Sequence, residues 1–490
     1  MRRNATRRAN ACRCVALWED APRVTDAPRH PALRDASPDV FWLDDPGAPQ
    51  PEPPLDGDTE CDLAIVGGGF TGLWSALLAM QRNPALDVVV LEARRSAAAA
   101  SGRNGGFCDA SLTHGFANGL HRFPDELDTL ERLGLENLDA IESTVREHDI
   151  DCSFERTGMV DVATASWQHD ELVEVAAAMR SHGYFLDVLD PDAMRAEVAS
   201  PTYCGGLWIH NRTAIVNPAK LAWGLHRLCI DAGVRFHEGT AVARLSAEAE
   251  RIRLTTAHGS VSARRVALAT NADRPLLARL RPFILPVYDY VLVTEPLTAA
   301  QLASIGWANR QGIGDSGNQF HYYRLTADSR ILWGGYDAIY HFGNRVDVEL
   351  EQRAETFDKL AEHFFTTFPQ LSDVRFTHRW GGAIDTCSRF CAFWGTSHGG
   401  RVAFSLGYTG LGVGASRFGA QVMLDLLEGR RTERRALRMV RTRPLPFPPE
   451  PLRYGVVQLT RWSLDRADRN GGHRNPWLRA LDLVGLGFDS

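Results

Sequence analysis

The stretch CDLAIVGGGFTGLWSALLAMQRNPALDVVVLEAR, residues 61–94, restricts the fold more than any other. The apolar run from Leu63 to Val66 predicts a buried strand. A glycine-rich turn follows, then a helix over Leu73 to Met80 and a second apolar strand over Val88 to Leu91. Gly67, Gly69 and Gly72 fit G-x-G-x-x-G in the strand–turn–helix setting that gives this pattern its meaning. Gly67 permits the tight turn, Gly69 lets a pyrophosphate approach the backbone, and Gly72 lets the helix pack close to the strand. The helix N-terminus offers unpaired N–H groups to phosphate. Glu92, twenty residues past Gly72, is placed to accept hydrogen bonds from ribose hydroxyls, and its charge disfavours a 2′-phosphate. The chain carries one such fingerprint, so a single dinucleotide, FAD or NAD, is expected.

A second stretch, AAAASGRNGGFCDASL at 97–112, has no helix or strand period. Gly102, Gly105 and Gly106 cost backbone entropy on folding, which implies a close neighbour. Residues 1–58, rich in Pro, Arg, Asp and Ala, predict a flexible leader. Helical spacing is predicted at 125–148, 168–182, 217–232 and 347–368, and strands at 158–164, 264–272, 283–295 and 319–335. Residues 401–429 read as strand, glycine turn and helix. This alternation predicts an α/β domain interrupted by a strand-rich insertion, α+β overall.

The 490 residues are 23% charged and carry a net charge of −6, which argues against a nucleic-acid binder. No apolar run is long enough to span a membrane. Nine scattered cysteines include no CxxC pair, so no metal site is expected and a reduced, cytoplasmic chain is the simplest reading. Arg2-Arg3 and Arg7-Arg8 lack the apolar stretch of an export signal. The two lysines, Lys220 and Lys359, are the whole supply for any lysine-dependent step.

The pairing of VGGGFTGLWSA and VLEA with ASGRNGGF resembles the D-amino-acid oxidase superfamily of FAD enzymes, most of all its γ-glutamylputrescine oxidase-type amine oxidases. NPAKL (217–221), ATNA (269–272), TEPL (294–297), YRLTADSRILWGG (323–335), WGG (380–382) and GYTGLGV (407–413) occur in the family order. The resemblance spans roughly residues 60–430. It implies a Rossmann-like FAD-binding domain (59–150, 211–275 and 379–430) interleaved with a smaller antiparallel-sheet substrate domain (151–210 and 276–378). Residues 431–490 form a C-terminal appendage, expected to be helical and packed on the FAD domain.

The resemblance assigns FAD contacts to Gly67, Gly69, Phe70, Thr71, Gly72, Glu92 and Ala93. It adds Ser101, Gly102, Arg103, Asn104, Gly105, Gly106 and Phe107 along the flavin ring, with Arg103 and Asn104 as the polar contacts. Ala241 and Val242, in a strand over Thr240–Ala243, lie by the adenine. Thr270 and Asn271, and the turn holding Gly407, Tyr408, Gly410, Leu411, Gly412 and Val413, complete the set. The implied activity oxidises a small-molecule amine or amino acid to an imine, which water hydrolyses. Oxygen or another electron acceptor then takes the electrons. The alternatives are a non-catalytic, assembly or regulatory flavoprotein and an NAD-binding Rossmann dehydrogenase.

Substrate-site candidates come from HYYRL. Alternation sends His321 and Tyr323 to one face of a strand, Tyr322 and Arg324 to the other. Arg324 either pairs with a substrate carboxylate or forms an ordinary ion pair with Asp328. Cys387 and Cys391 lie near the region where some relatives attach FAD covalently; buried free thiols and non-covalent FAD are the preferred reading. His114 reads as a loop histidine. Neither lysine matches the position from which certain relatives promote reaction with oxygen.

Overall fold

The computed structural model describes residues 27–483 and 485–486. The expected leader therefore falls in two parts: residues 1–26 lie outside the described residues, and 27–58 are described.

The strand Thr59–Val66 runs parallel to Val88–Leu91, and the helix Phe70–Arg82 makes the crossover between them. Thr59–Val66 also pairs in parallel with Ser260–Leu268. The eight-stranded sheet has the order Phe393–Ser397, Val402–Leu406, Ser260–Leu268, Thr59–Val66, Val88–Leu91, Arg235–His237, with a hairpin (Arg244–Glu248 and Arg251–Thr255) added beside Ser260–Leu268. Val88–Leu91 and the C-terminal halves of its neighbours, Leu63–Val66 and Val266–Leu268, are apolar because both faces of the sheet are covered there. On one face pack the helices Phe70–Arg82, Leu127–Glu147, Pro218–Asp231 and Gly412–Glu428. Residues 240–243 form no strand; they lead into Arg244–Glu248.

A nine-stranded sheet lies beside it. Its order is Ile339–Tyr340, Leu285–Thr294, Ile331–Gly335, His321–Leu325, Gly312–Asp315, Met159–Ala163, Gly205–Ile209, Leu186–Leu189, and Phe376–Thr386 pairs with Leu285–Thr294. All pairings are antiparallel except that of Gly312–Asp315 with Met159–Ala163, and in strand number this sheet is not the smaller. The helix Ala354–Thr367 buries Phe357, Leu360 and Phe364 against it.

Three further expectations are corrected. The boundary drawn at 379 divides the strand Phe376–Thr386, whose whole length pairs in the second sheet; the chain crosses back only after Thr386. The appendage is helical, but it does not rest only on the first domain. Arg438 bonds to Arg122 and Glu126 there, whereas the helix Leu452–Arg469 bonds to residues of the second sheet and its loops.

The third correction concerns residues 27–58, which are packed and not a loose leader: Leu33, Val40, Trp42 and Leu55 are buried. The Trp42 indole N–H donates to the carbonyl of Asn104 at 2.9 Å, bracing the glycine-rich loop. Trp42→Ala should cost about 3–5 kcal/mol and lower the melting temperature. An unchanged melting curve would show that this segment lies outside the cooperative fold.

Candidate functional site

A cavity of about 1220 Å³ opens between the two sheets. One wall is the first βαβ unit. The Cβ that Gly72 lacks would fall 1.9 Å from the carbonyl oxygen of Gly67, so helix and turn are in backbone contact. Gly67 has φ +110°, which favours glycine. The Phe70 N–H, in the first turn of the helix, is held by Ser101 Oγ at 2.9 Å. Glu92 closes the turn from the far side, accepting from the N–H groups of Gly68 (2.6 Å) and Arg94 (2.8 Å). Burial raises its carboxyl above the usual range.

The helix Gly412–Glu428 points a second N-terminus at the same cavity. A Cβ on Gly410 or Gly412 would meet nothing within 4 Å, so this turn faces open space. Two helix N-termini on the cavity, that of Phe70–Arg82 shared with Ser101 and that of Gly412–Glu428 open, form with the backbone-tight glycine turn and an acid at the end of the second strand a cradle that fits a dinucleotide.

Of the cofactor residues named from the sequence, all but four line this one cavity. The exceptions are Gly72, Gly102, Gly106 and Gly407. Gly102 is required by packing, since a Cβ there would lie 2.4 Å from the Ala97 carbonyl oxygen. At Gly106, with φ +79°, the clash would be with the Val216 carbonyl at 2.1 Å. Arg103 and Asn104 line the cavity, yet their polar groups are spent on the fold. Arg103 is ion-paired with Glu351 at 2.5 Å and donates to Ala98 O. Asn104 donates to the carbonyls of Ala100 and Ser101 and accepts from Gly106 N–H, so it shapes the loop from within. Gly105 sits against the Tyr322 ring, where a Cβ would come within 2.6 Å.

The HYYRL strand alternates as its pattern predicts, but three of its candidates, His321, Tyr323 and Arg324, do not reach the cavity. His321 and Tyr323 point into the core of the second sheet. His321 bonds to Asp315 (2.6 Å) and His363 (2.9 Å), and Tyr323 to the Tyr203 hydroxyl. Arg324 is on the cavity side but is 2% exposed, and its guanidinium donates to the carbonyls of Val216 and Gly106. It makes no ion pair with Asp328, which pairs with Arg330. Tyr322 is the residue of this strand that lines the cavity.

Three carboxylates that the sequence reading did not single out, Asp161, Asp289 and Asp385, carry much of the remaining polarity. The Tyr322 hydroxyl donates to Asp289 Oδ2, and Asp289 Oδ1 accepts from the Tyr290 N–H at 2.8 Å. Burial pushes the Asp289 carboxyl up to about 6. Asp161, raised to about 7 by burial and by the neighbouring Asp109, also faces the cavity. Asp385 accepts from the N–H groups of Gly407 (2.6 Å) and Tyr408 (3.1 Å), tying the second sheet to the turn before Gly412. Burial moves it to about 7. All three were marked by one signal: a lone carboxylate inside an apolar strand, as in MVDVA, VYDYV and GGAIDT. His114 also lines the cavity, and burial holds its pKa down at about 4, so it is neutral.

Cys387 and Cys391 are fully buried free thiols off the cavity wall, with Cys387 pushed up to about 12 by burial. Lys220 pairs with Asp45 and Lys359 with Asp337; neither lines the cavity. Among the described residues no acid, histidine and cysteine cluster is arranged for a metal, and no helix is long and apolar enough to cross a membrane.

A family model described as FAD dependent oxidoreductase matches residues 62–426. Gamma-glutamylputrescine oxidoreductase of Escherichia coli is 33% identical over 385 residues, which is 75% of this chain and 84% of that protein. A probable oxidoreductase, OrdL, of Haemophilus influenzae is 27% identical over 77% of this chain and 85% of its own. Glycine oxidase from Geobacillus kaustophilus superposes with a TM-score of 0.63 at 19% identity, covering 76% of this chain and 96% of that one.

Proposed function

Because the chain belongs to the family of FAD-dependent oxidoreductases, we propose that its cavity binds FAD non-covalently and oxidises an amine or amino acid at the carbon next to nitrogen. The product imine is hydrolysed by water to a carbonyl compound and ammonia or a smaller amine. The family match replaces the NAD-binding alternative. The observation that carries the reading is the single cavity joining the Gly67–Gly72 turn, the 101–107 loop and the 407–413 turn to the polar face of the second sheet.

Gly67, Gly69, Phe70, Thr71 and Glu92 would hold the dinucleotide, with Ala241, Val242, Thr270 and Asn271 beside it. Ser101, Gly105, Phe107 and the N–H groups at Gly410, Gly412 and Val413 would meet the ring system. Bound there, FAD supplies the two-electron acceptor for the oxidation. The chain supplies position, exclusion of water and a place for a proton. An amine must lose its ammonium proton before it can be oxidised. Tyr322 Oη accepts such a proton while passing its own to Asp289 Oδ2, so the dyad is the proposed proton acceptor.

Neither lysine lines the cavity, so an ammonium is not available there to promote reaction with oxygen. An artificial dye should therefore outpace oxygen as electron acceptor. The cysteines' burial supports a flavin that acid precipitation releases, and their free state supports the cytoplasmic reading.

The purified protein should be yellow. Without oxygen, one of a panel of polyamines, N-methyl amino acids and D-amino acids should bleach it. A colourless protein that cannot be loaded with FAD would overturn the proposal, as would a yellow one that no amine reduces.

A further inference from the structure

The helix Leu452–Arg469 lies beyond the part of the chain that matches the family model, and glycine oxidase is nearly fully covered without a quarter of this chain. Yet this helix is part of the cavity wall. Arg453, Val456, Val457, Thr460, Arg461 and Leu464 line it at the spacing of a single helical face. Only Ser463 and Ala467 of the helix are buried as core residues. The two valines and Leu464 therefore face the cavity and not another hydrophobic layer. On the opposite face Leu452, Leu459 and Trp462 are exposed.

The helix is fastened at three points. At its N-terminal end Glu450 accepts from the Tyr340 hydroxyl and the Gly343 N–H. Near its centre Arg461 reaches Asp337 at 3.3 Å, a carboxylate that also holds Lys359 at 3.0 Å. At its C-terminal end Asp468 accepts three bonds, from the N–H and side-chain amide of Asn318 and the N–H of Gln319, at 2.6–3.1 Å. All these partners belong to the second sheet and its loops, and Asp337, Asn318 and Gln319 line the same cavity. Three separate polar attachments hold an apolar stripe against a cavity whose other surfaces carry Asp161, Asp289 and Asp337.

We propose that this appended helix is the specificity element of the enzyme: Val456, Val457 and Leu464 receive the aliphatic arm of the amine substrate and set its permitted length. The proposal rests on the amine-oxidation reading above. Asp161 and Asp289 suit the cationic nitrogen, whereas Asp337 is already paired with Arg461 and Lys359. The roof stripe offers the arm burial worth about 0.8 kcal/mol per methylene.

The test uses the full-length, FAD-loaded protein and an alkyl series built on whichever amine bleaches the flavin, from ethyl to octyl. Val457→Trp should raise KM for the longest members by about tenfold or more, while kcat for the shortest stays within about twofold. Val457→Ala should shift the preference towards longer arms. Leu459→Ala, on the exposed face, should leave the profile unchanged. The flavin spectrum and melting curve check that each variant is folded. If the flavin is reduced but the length profile is the same in all variants, the roof assignment falls and the function stands. If no amine reduces the flavin of the wild-type protein, the function itself fails, and this inference with it.

Discussion

Replacing Gly412 with alanine should give a protein that folds as well as the wild type and holds FAD at least about tenfold more weakly. A Cβ at this position touches no protein atom within 4 Å, and the residue begins a helix, where alanine is favoured over glycine. The melting curve of the apoprotein should be unchanged or slightly raised. The new methyl would instead occupy space assigned to the ligand. Gly72→Ala makes the contrast. Its Cβ would fall 1.9 Å from the Gly67 carbonyl oxygen, so helix and turn must separate. Forced separation of packed backbone costs about 1–3 kcal/mol, and the turn it distorts is the proposed pyrophosphate cradle. That variant should lose both melting temperature and FAD. Absorbance of the purified proteins and FAD titration of the apoproteins read both effects. If Gly412→Ala retained wild-type affinity, the 407–413 turn would not face the cofactor.

Asp289→Asn and Tyr322→Phe should each lower kcat/KM by about a hundredfold, within the range of lost acid–base catalysis, with FAD affinity intact. Asp289 sits in a strand of the second sheet, and its side chain accepts from the Tyr322 hydroxyl in the cavity. Burial disfavours its charged form, which raises the carboxyl to about 6. The ionised form is the one that takes a proton, so kcat/KM should rise as pH increases through about 6. This limb should be missing in Asp289→Asn, whose side chain does not ionise. Substrate ammonium deprotonation adds a second limb at higher pH, set by the substrate's own pKa and common to both proteins. A variant that keeps the lower limb and the wild-type rate would remove Asp289 from the mechanism. Rate loss without loss of that limb would make Asp289 a positioning residue.

The first glycine turn was readable because its residues are neighbours in sequence. In residues 61–94 the glycine spacing and the strand and helix runs follow from local backbone geometry, and the structure places the strands and the helix there, with Glu92 bonded to the N–H groups of Gly68 and Arg94. The second glycine stretch was readable only in part. Its cost in backbone entropy pointed to a close neighbour. That neighbour is the Tyr322 ring on the cavity wall at Gly105, and packed backbone at Gly102 and Gly106. Glycine reports that space is tight without reporting what fills it. The polar residues were harder. Alternation placed Tyr322 and Arg324 on one face correctly, yet gave no means of knowing that Arg324 would be sealed under the carbonyls of Gly106 and Val216.

The sequence by itself determined a βαβ dinucleotide unit, its continuation in the 407–413 turn, and the membership of the chain in an FAD-dependent oxidoreductase family. The unit rests on short-range constraints, a left-handed turn and a helix start, whereas the 407–413 turn and the family membership rest on resemblance to known sequences. Only the tertiary structure decided which polar groups share the cavity. Asp289 and Tyr322 are 33 residues apart, Asp385 and Gly407 are 22, and Arg461 and Asp337 are 124. Only it showed that residues 27–58 brace the glycine loop and that the appendage roofs the site. Those contacts arise where separate strands and helices close on one another. The free energy that favours them is burial of apolar surface, which depends on amount and not on direction. Composition and local pattern can therefore announce that a core forms without stating which side chains will face one another across it.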